Sequence, residues 1–167
     1  MKRGQFWYGD FLVAVLILMI IGVLFVTSIT DITSRNEILK ELILEASDIS
    51  STLMSEGNNI EGWDDEPPKG TAGFITSNNF DADKFEVFAQ LSNANQRVML
   101  GTRNNVWIYL SDREGDIKKE SSNGEYSSLG DITSKNLVHI KRFVFYDEDE
   151  AGPVKGDIYT LGVVLWQ

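Results

Sequence analysis

The chain contains no cysteine, and histidine occurs once, at His139. The first absence removes a disulfide framework, a thiolate nucleophile and any Cys-based zinc or iron–sulfur centre. The second leaves too few imidazoles for a His-clustered metal site and makes a Ser/His arrangement hard to build. Basic residues are also scarce: 15 Lys plus Arg stand against 25 Asp plus Glu, a formal charge of −10. Such a chain repels phosphate, so nucleic-acid binding by a basic patch is not expected. There is no Gly-x-Ser-x-Gly, no phosphate- or dinucleotide-binding glycine loop and no His-Glu-x-x-His in the sequence, hence no signature of an enzyme and none of a cofactor site. Asn-x-Ser/Thr sequons and internal repeats are missing as well.

The acidic stretches offer little chemistry. Asp147-Glu148-Asp149-Glu150-Ala151-Gly152 matches a calcium loop at its first, third and sixth positions, but Ala151 and Ile158 replace the fifth- and twelfth-position ligands, so no metal is expected there. Asp64, Asp65 and Glu66 read as a solvated loop, since a paired acid and base need a shaped apolar cleft that nothing in the pattern implies. No catalytic residue is assigned.

One feature dominates what is present. Phe11 to Thr30 carries no charge over twenty residues, about 30 Å of helix, the thickness of a bilayer's hydrocarbon core. Its Leu, Ile, Val and Phe residues contribute roughly −4 to −8 kcal/mol toward insertion. Lys2 and Arg3 precede the run and the next basic residue is Arg35, which predicts a cytoplasmic N-terminus and an extracytoplasmic remainder. A buried helix of a soluble core and a secretory signal cut after Ser28 are the alternatives. Against a cleaved signal stands the sequence that follows: Val23 to Glu56 has neither Pro nor Gly, and Ile32, Leu39, Leu42, Ile43, Ala46, Ile49 and Leu53 recur at helical spacing. One helix from about Gln5 to Ser55 is predicted, apolar all round through residue 30 and amphipathic over 31–56.

Beyond Glu56, Gly, Pro, Asn and Asp crowd the stretch to Gly73, a linker or ordered loop in which Trp63 and Phe74 are expected to anchor on the core. Asp83 and Glu86 have the spacing of a capping box, predicting a helix with Phe85, Phe88 and Ala89 on one face, and Gly101 closes a further short helix or turn. Val106–Leu110, Val138–Tyr146 and Asp157–Trp166 read as strands, the last apolar on both faces and so central or well covered. Ser111–Ser134 reads as an exposed loop or irregular hairpin. His139, in an alternating strand, is expected to be a partly buried structural residue. The fold class is therefore α+β, a long N-terminal helix with a small antiparallel sheet on its outer half.

The N-terminus adds a resemblance. Lys2-Arg3-Gly4-Gln5-Phe6, a basic pair and a Gly directly ahead of an uninterrupted hydrophobic helix, resembles the class III signal peptide of archaeal type IV pilins and pilin-like proteins. The Gly–Trp loop, the Gly73-Phe74 step and the Lys84-Phe85 helix are loosely similar to the heads of such proteins. The resemblance implies a prepilin peptidase cut between Gly4 and Gln5, a leader of residues 1–4, a membrane and filament-core helix over 5–30, its amphipathic continuation over 31–56 and an extracytoplasmic head over 57–167. It implies as partners the peptidase, other pilin subunits and the assembly machinery in the membrane. In that family an acid usually occupies the fifth mature position and pairs with a neighbouring subunit's free amine. Here the fifth position is Gly9 and the acid follows as Asp10, making Asp10 and Gln5 the expected pair. The implied function is a structural subunit of a cell-surface filament. The alternative is a single-pass anchored domain that binds or senses a ligand without polymerising.

Overall fold

The computed structural model describes residues 4–58, 60–63, 65, 68–122, 126, 128–134, 136–146 and 156–167, with side chains from residue 8 onward. Lys2, Arg3, Asp64, Glu66 and the calcium-like segment 147–152 lie outside them. The molecule is α+β: a long N-terminal apolar helix and a small antiparallel sheet. It divides into two compact units, Met1–Ile38 and Leu39–Gln167.

Helix α1 spans Gly4–Leu53, 50 residues. In the first unit its apolar side chains are uncovered, Phe11, Leu18, Val23 and Phe25 among them. In the second unit Leu42, Ala46, Ile49 and Leu53 are buried, and their spacing of four, three and four places them on one stripe. Each large aliphatic side chain buried there contributes roughly 1.5–3 kcal/mol.

After α1 the chain loops out and comes back. Phe74 N–H donates to Leu53 O (2.8 Å), Ile75 N–H to Ser55 O (3.2 Å) and Asn58 N–H to Thr71 O (3.2 Å), so the returning segment lies against the end of the helix. The two backbones touch at a pair of glycines. A Cβ on Gly73 would lie 2.5 Å from Gly57 N and 2.6 Å from Ser55 O, and Gly57 itself has φ +60°, so side chains are excluded from this crossing. Trp63 and Phe74 are fully buried, as expected of core anchors.

A two-stranded hairpin follows, β1 (Ile75–Thr76) and β2 (Asn79–Phe80), turning on Ser77 and Asn78, both at positive φ. Helix α2 is Ala82–Gln90 and α3 is Asn93–Leu100. The cap of α2 corrects the sequence reading. Asp81, not Asp83, accepts Lys84 N–H (3.0 Å) in its side chain, because Asp81 is the last extended residue and its own N–H is already held by Phe74 O (2.7 Å). Glu86 pairs with Lys119 instead. Ser92 caps α3, which ends at Gly101 in the left-handed conformation, φ 66°.

The main sheet holds β3 (Asn105–Ser111), β4 (Ile117–Glu120), β5 (Leu137–Tyr146) and β6 (Asp157–Trp166), all antiparallel in the order β4-β3-β6-β5. Strand β6 is thus central, as its apolar pattern requires. Within Ser111–Ser134 the irregular-hairpin alternative holds, and the expected exposure is corrected in part. Strand β4 pairs with β3 across an irregularity at Leu110/Ser111, Ser121 and Ile132 are buried, and a short 3-10 helix covers Leu129–Asp131.

The two faces of the sheet differ. One carries Ile108, Leu161, Val163 and Arg142, whose Nε donates to Ser50 Oγ (3.0 Å), so this face is turned to α1. Phe74, Phe80, Phe85 and Phe88 fill in beside it, with centroids of Phe74 and Phe85 5.2 Å apart. The opposite face carries Trp107, Tyr109, Val164 and Trp166, covered by Ile132, Tyr126 and Ile117. Beyond that cover the same face continues bare through Lys141, Phe143, Phe145 and Ile158.

Candidate functional site

The residues singled out by the sequence all lie in the first two turns of α1. Gly4 and Gln5 open the helix, and Asp10 is exposed. Helix geometry rules out one arrangement of Gln5 and Asp10. Five positions are about 500° of rotation, which leaves the two residues some 140° apart around the axis and about 7.5 Å apart along it. Within one chain they do not meet. Pairing between the Asp10 carboxylate and an amine at Gln5 requires a second helix alongside, displaced along the axis by about that 7.5 Å.

The helix that carries them is the one described helix long and apolar enough to cross a membrane, by length and composition. No part of its most apolar window is buried within the chain. A surface of some fifteen consecutive apolar side chains has no cover of its own, and in water it would be far larger than the patches monomers tolerate. By length and composition such a helix fits a membrane anchor or a signal sequence.

Among the described residues a small cleft of about 30 Å³ lies between Asn93, Arg97, Asn105, Ser122, Tyr126 and Trp166, room for about one water molecule. Among the described residues no three His, Asp or Glu side chains stand close enough to hold a metal ion.

His139 is half-buried on β5, its Nε2 2.8 Å from the Tyr109 hydroxyl. Burial, with a smaller push from Lys141, lowers its pKa from the usual 6.5. Burial raises the Tyr109 pKa above 10.0. The Tyr109 ring lies flat over Gly162, where any Cβ would run into it. The pair thus reads as a structural fastening across β3, β6 and β5.

The sequence did not point to Gln96. It is almost fully buried, and its side-chain amide faces four carbonyls: Ser121 O (2.9 Å), Leu91 O (3.2 Å), Phe88 O (3.3 Å) and Ala89 O (3.5 Å). It closes the end of α2 and ties it to the segment after β4. A polar residue on the inner face of a short helix was the only available signal. Comparison with protein families, with curated proteins and with solved structures gave no match to this chain.

Proposed function

We propose that this chain is a pilin-like structural subunit, held in the membrane as a precursor, trimmed between Gly4 and Gln5, and assembled through its N-terminal helix into a cell-surface filament. The observation that carries the reading is the uncovered apolar half of α1, continuous with a half that packs into a folded α+β unit. A plain anchor needs the first half, but it has no need of a Gly-Gln junction directly behind a basic pair. The order of events follows from charge. Lys2 and Arg3 hold the precursor at the cytoplasmic boundary, and their removal leaves a helix that leaves lipid at lower cost and packs with its own kind.

Asp10 supplies the register. An unpaired carboxylate among packed helices costs several kcal/mol, whereas one paired with the amine freed at a neighbour's Gln5 is offset. Before assembly the same carboxylate is solvated at the headgroup level. The pairing therefore forms only between trimmed subunits.

Intact mass and N-terminal sequencing of membrane-extracted protein test the processing step. A start at Gln5, with Phe11–Val26 retained, is expected. A chain beginning at Met1 or at Ile29 overturns it. Electron microscopy of producing cells tests assembly. Trimmed protein that never leaves the membrane fraction points to the anchored binding domain instead.

A further inference from the structure

Two exposed apolar patches lie on opposite sides of the second unit, and their charges are complementary. The first is on the face of the sheet turned away from α1. Phe143 is 76% exposed and Phe145 56%, with Ile158 directly across from Phe145 on β6. These three are contiguous, because residues two apart on a strand share a face and cross-strand partners stand side by side. Lys141 continues the same face and is exposed.

The second patch is on α1. Leu44 is 60% exposed and Ile43 52%. Leu44 lies about half a turn around the helix from the buried stripe of Leu42, Ala46 and Ile49, and so points away from the sheet. Glu41 and Asp48, three before and four after, flank it on one side, with Lys40 on the other; Glu41, Asp48 and Lys141 have no ion pair among the described residues.

We propose that the occupant of each patch is the other patch on a second copy of this chain. Phe143, Phe145 and Ile158 of one head pack on Leu44 and Ile43 of the next, with Lys141 against Glu41 and Asp48. The inference rests on the filament reading and names the head contact within it. Two arguments favour a second copy over a soluble partner. Five apolar side chains bury much less than the roughly 1,200–2,000 Å² of a stable interface between free proteins, so the contact serves copies already concentrated in one membrane or one filament. The contact is also heterologous. Two different patches on opposite sides of one unit repeat from copy to copy without closing a pair, which builds a ring or an open chain and not a closed dimer.

The test uses the full-length chain in membranes of producing cells, where the absence of native cysteine makes introduced thiols unambiguous. Leu44→Cys and Phe143→Cys are combined in one chain, oxidised with copper phenanthroline and separated without reductant. Both positions are exposed, and retained trypsin resistance checks the fold. A ladder of dimers, trimers and higher species is expected, with at least fivefold less dimer from either single variant. Adding Lys141→Glu should cut the ladder at least fivefold, and adding Glu41→Lys and Asp48→Lys to that should restore it. Abundant dimer from Phe143→Cys alone would show like patches meeting and overturn the proposal. So would a ladder indifferent to Lys141→Glu. Electron microscopy of the same cells separates the two readings: filaments without a ladder overturn the head contact and leave the filament standing, while a ladder without filaments supports the contact and removes the filament. No ladder and no filaments overturns both.

Discussion

Replacing Gln96 by Met keeps the length and much of the volume of the side chain and deletes its two amide hydrogens. In the native fold these are shared among four carbonyl oxygens, the closest being Ser121 O at 2.9 Å and Leu91 O at 3.2 Å. Two hydrogen bonds at about 0.5–1.5 kcal/mol each, plus the cost of leaving at least one buried carbonyl unpaired at about 1–3 kcal/mol, give a loss of roughly 3 kcal/mol. Gln96→Ala adds a cavity between α3 and the sheet and should cost about 5 kcal/mol. Gln96→Glu is the harshest, because a carboxylate would face the same four oxygens with nothing to donate. The assay is urea unfolding of the detergent-solubilised chain followed by tryptophan fluorescence, which Trp63 and Trp107 report from full burial. With a slope near 2 kcal/mol per molar, Met should lower the midpoint by about 1.5 M. A Met variant within about 0.25 M of wild type would refute the reasoning: volume alone would then hold α2 to the sheet.

Gly73→Ala forces a Cβ to 2.5 Å from the backbone of Gly57 and should cost about 3 kcal/mol in the same unfolding assay, whereas Gly22→Ala, with nothing within 4 Å of its Cβ, should leave the head's midpoint unchanged. For His139 the folded pKa lies below the unfolded value of 6.5, so the unfolded chain binds more protons between the two; stability is full above pH 6.5 and falls as pH drops toward the folded pKa. His139→Gln should flatten that part of a pH series of urea midpoints, and an unchanged slope would remove His139 as its source. Asp10→Asn should leave the head's unfolding midpoint where it is while reducing filament yield several-fold, with Asp10→Glu tolerated better. Filaments at normal yield from Asp10→Asn would mean the carboxylate is merely hydrated.

The parts of the fold legible in the sequence are those where a single period runs long enough to dominate. The stripe Leu42, Ala46, Ile49, Leu53 marks the packed half of α1, and the run Leu161–Trp166 marks the part of β6 that is covered on both faces. Short and non-local features were not legible. The β1–β2 hairpin has two-residue strands and turns on Ser77-Asn78, without the glycine that usually announces such a turn. Asp81 and Asp83 are equally good caps by residue type, and the choice falls to Asp81 only because a distant carbonyl, Phe74 O, fixes its backbone. Strand β4 is Ile117-Lys-Lys-Glu120, three of its four residues charged; its pairing with β3 and the Lys119–Glu86 contact supply what its composition withholds. At the N-terminus, the sequence singles out Gly4, Gln5 and Asp10, and helix geometry adds that Gln5 and Asp10 can meet only between chains. Gln96 was invisible because its four acceptors are backbone carbonyls of two separate segments, 88–91 and Ser121, that only the fold brings together.

The crossing at Gly57 and Gly73 has a mechanical consequence. A pull on α1 enters the head at Leu53 and Ser55, and the bonds to Phe74 and Ile75 pass it straight across to the core. While that clip holds, the stretch between the two glycines lies outside the path of the load. Should the clip open, the load passes next to Trp63, itself buried in the core, so the aromatic cluster behind Phe74 stays shut until that second anchor is drawn out.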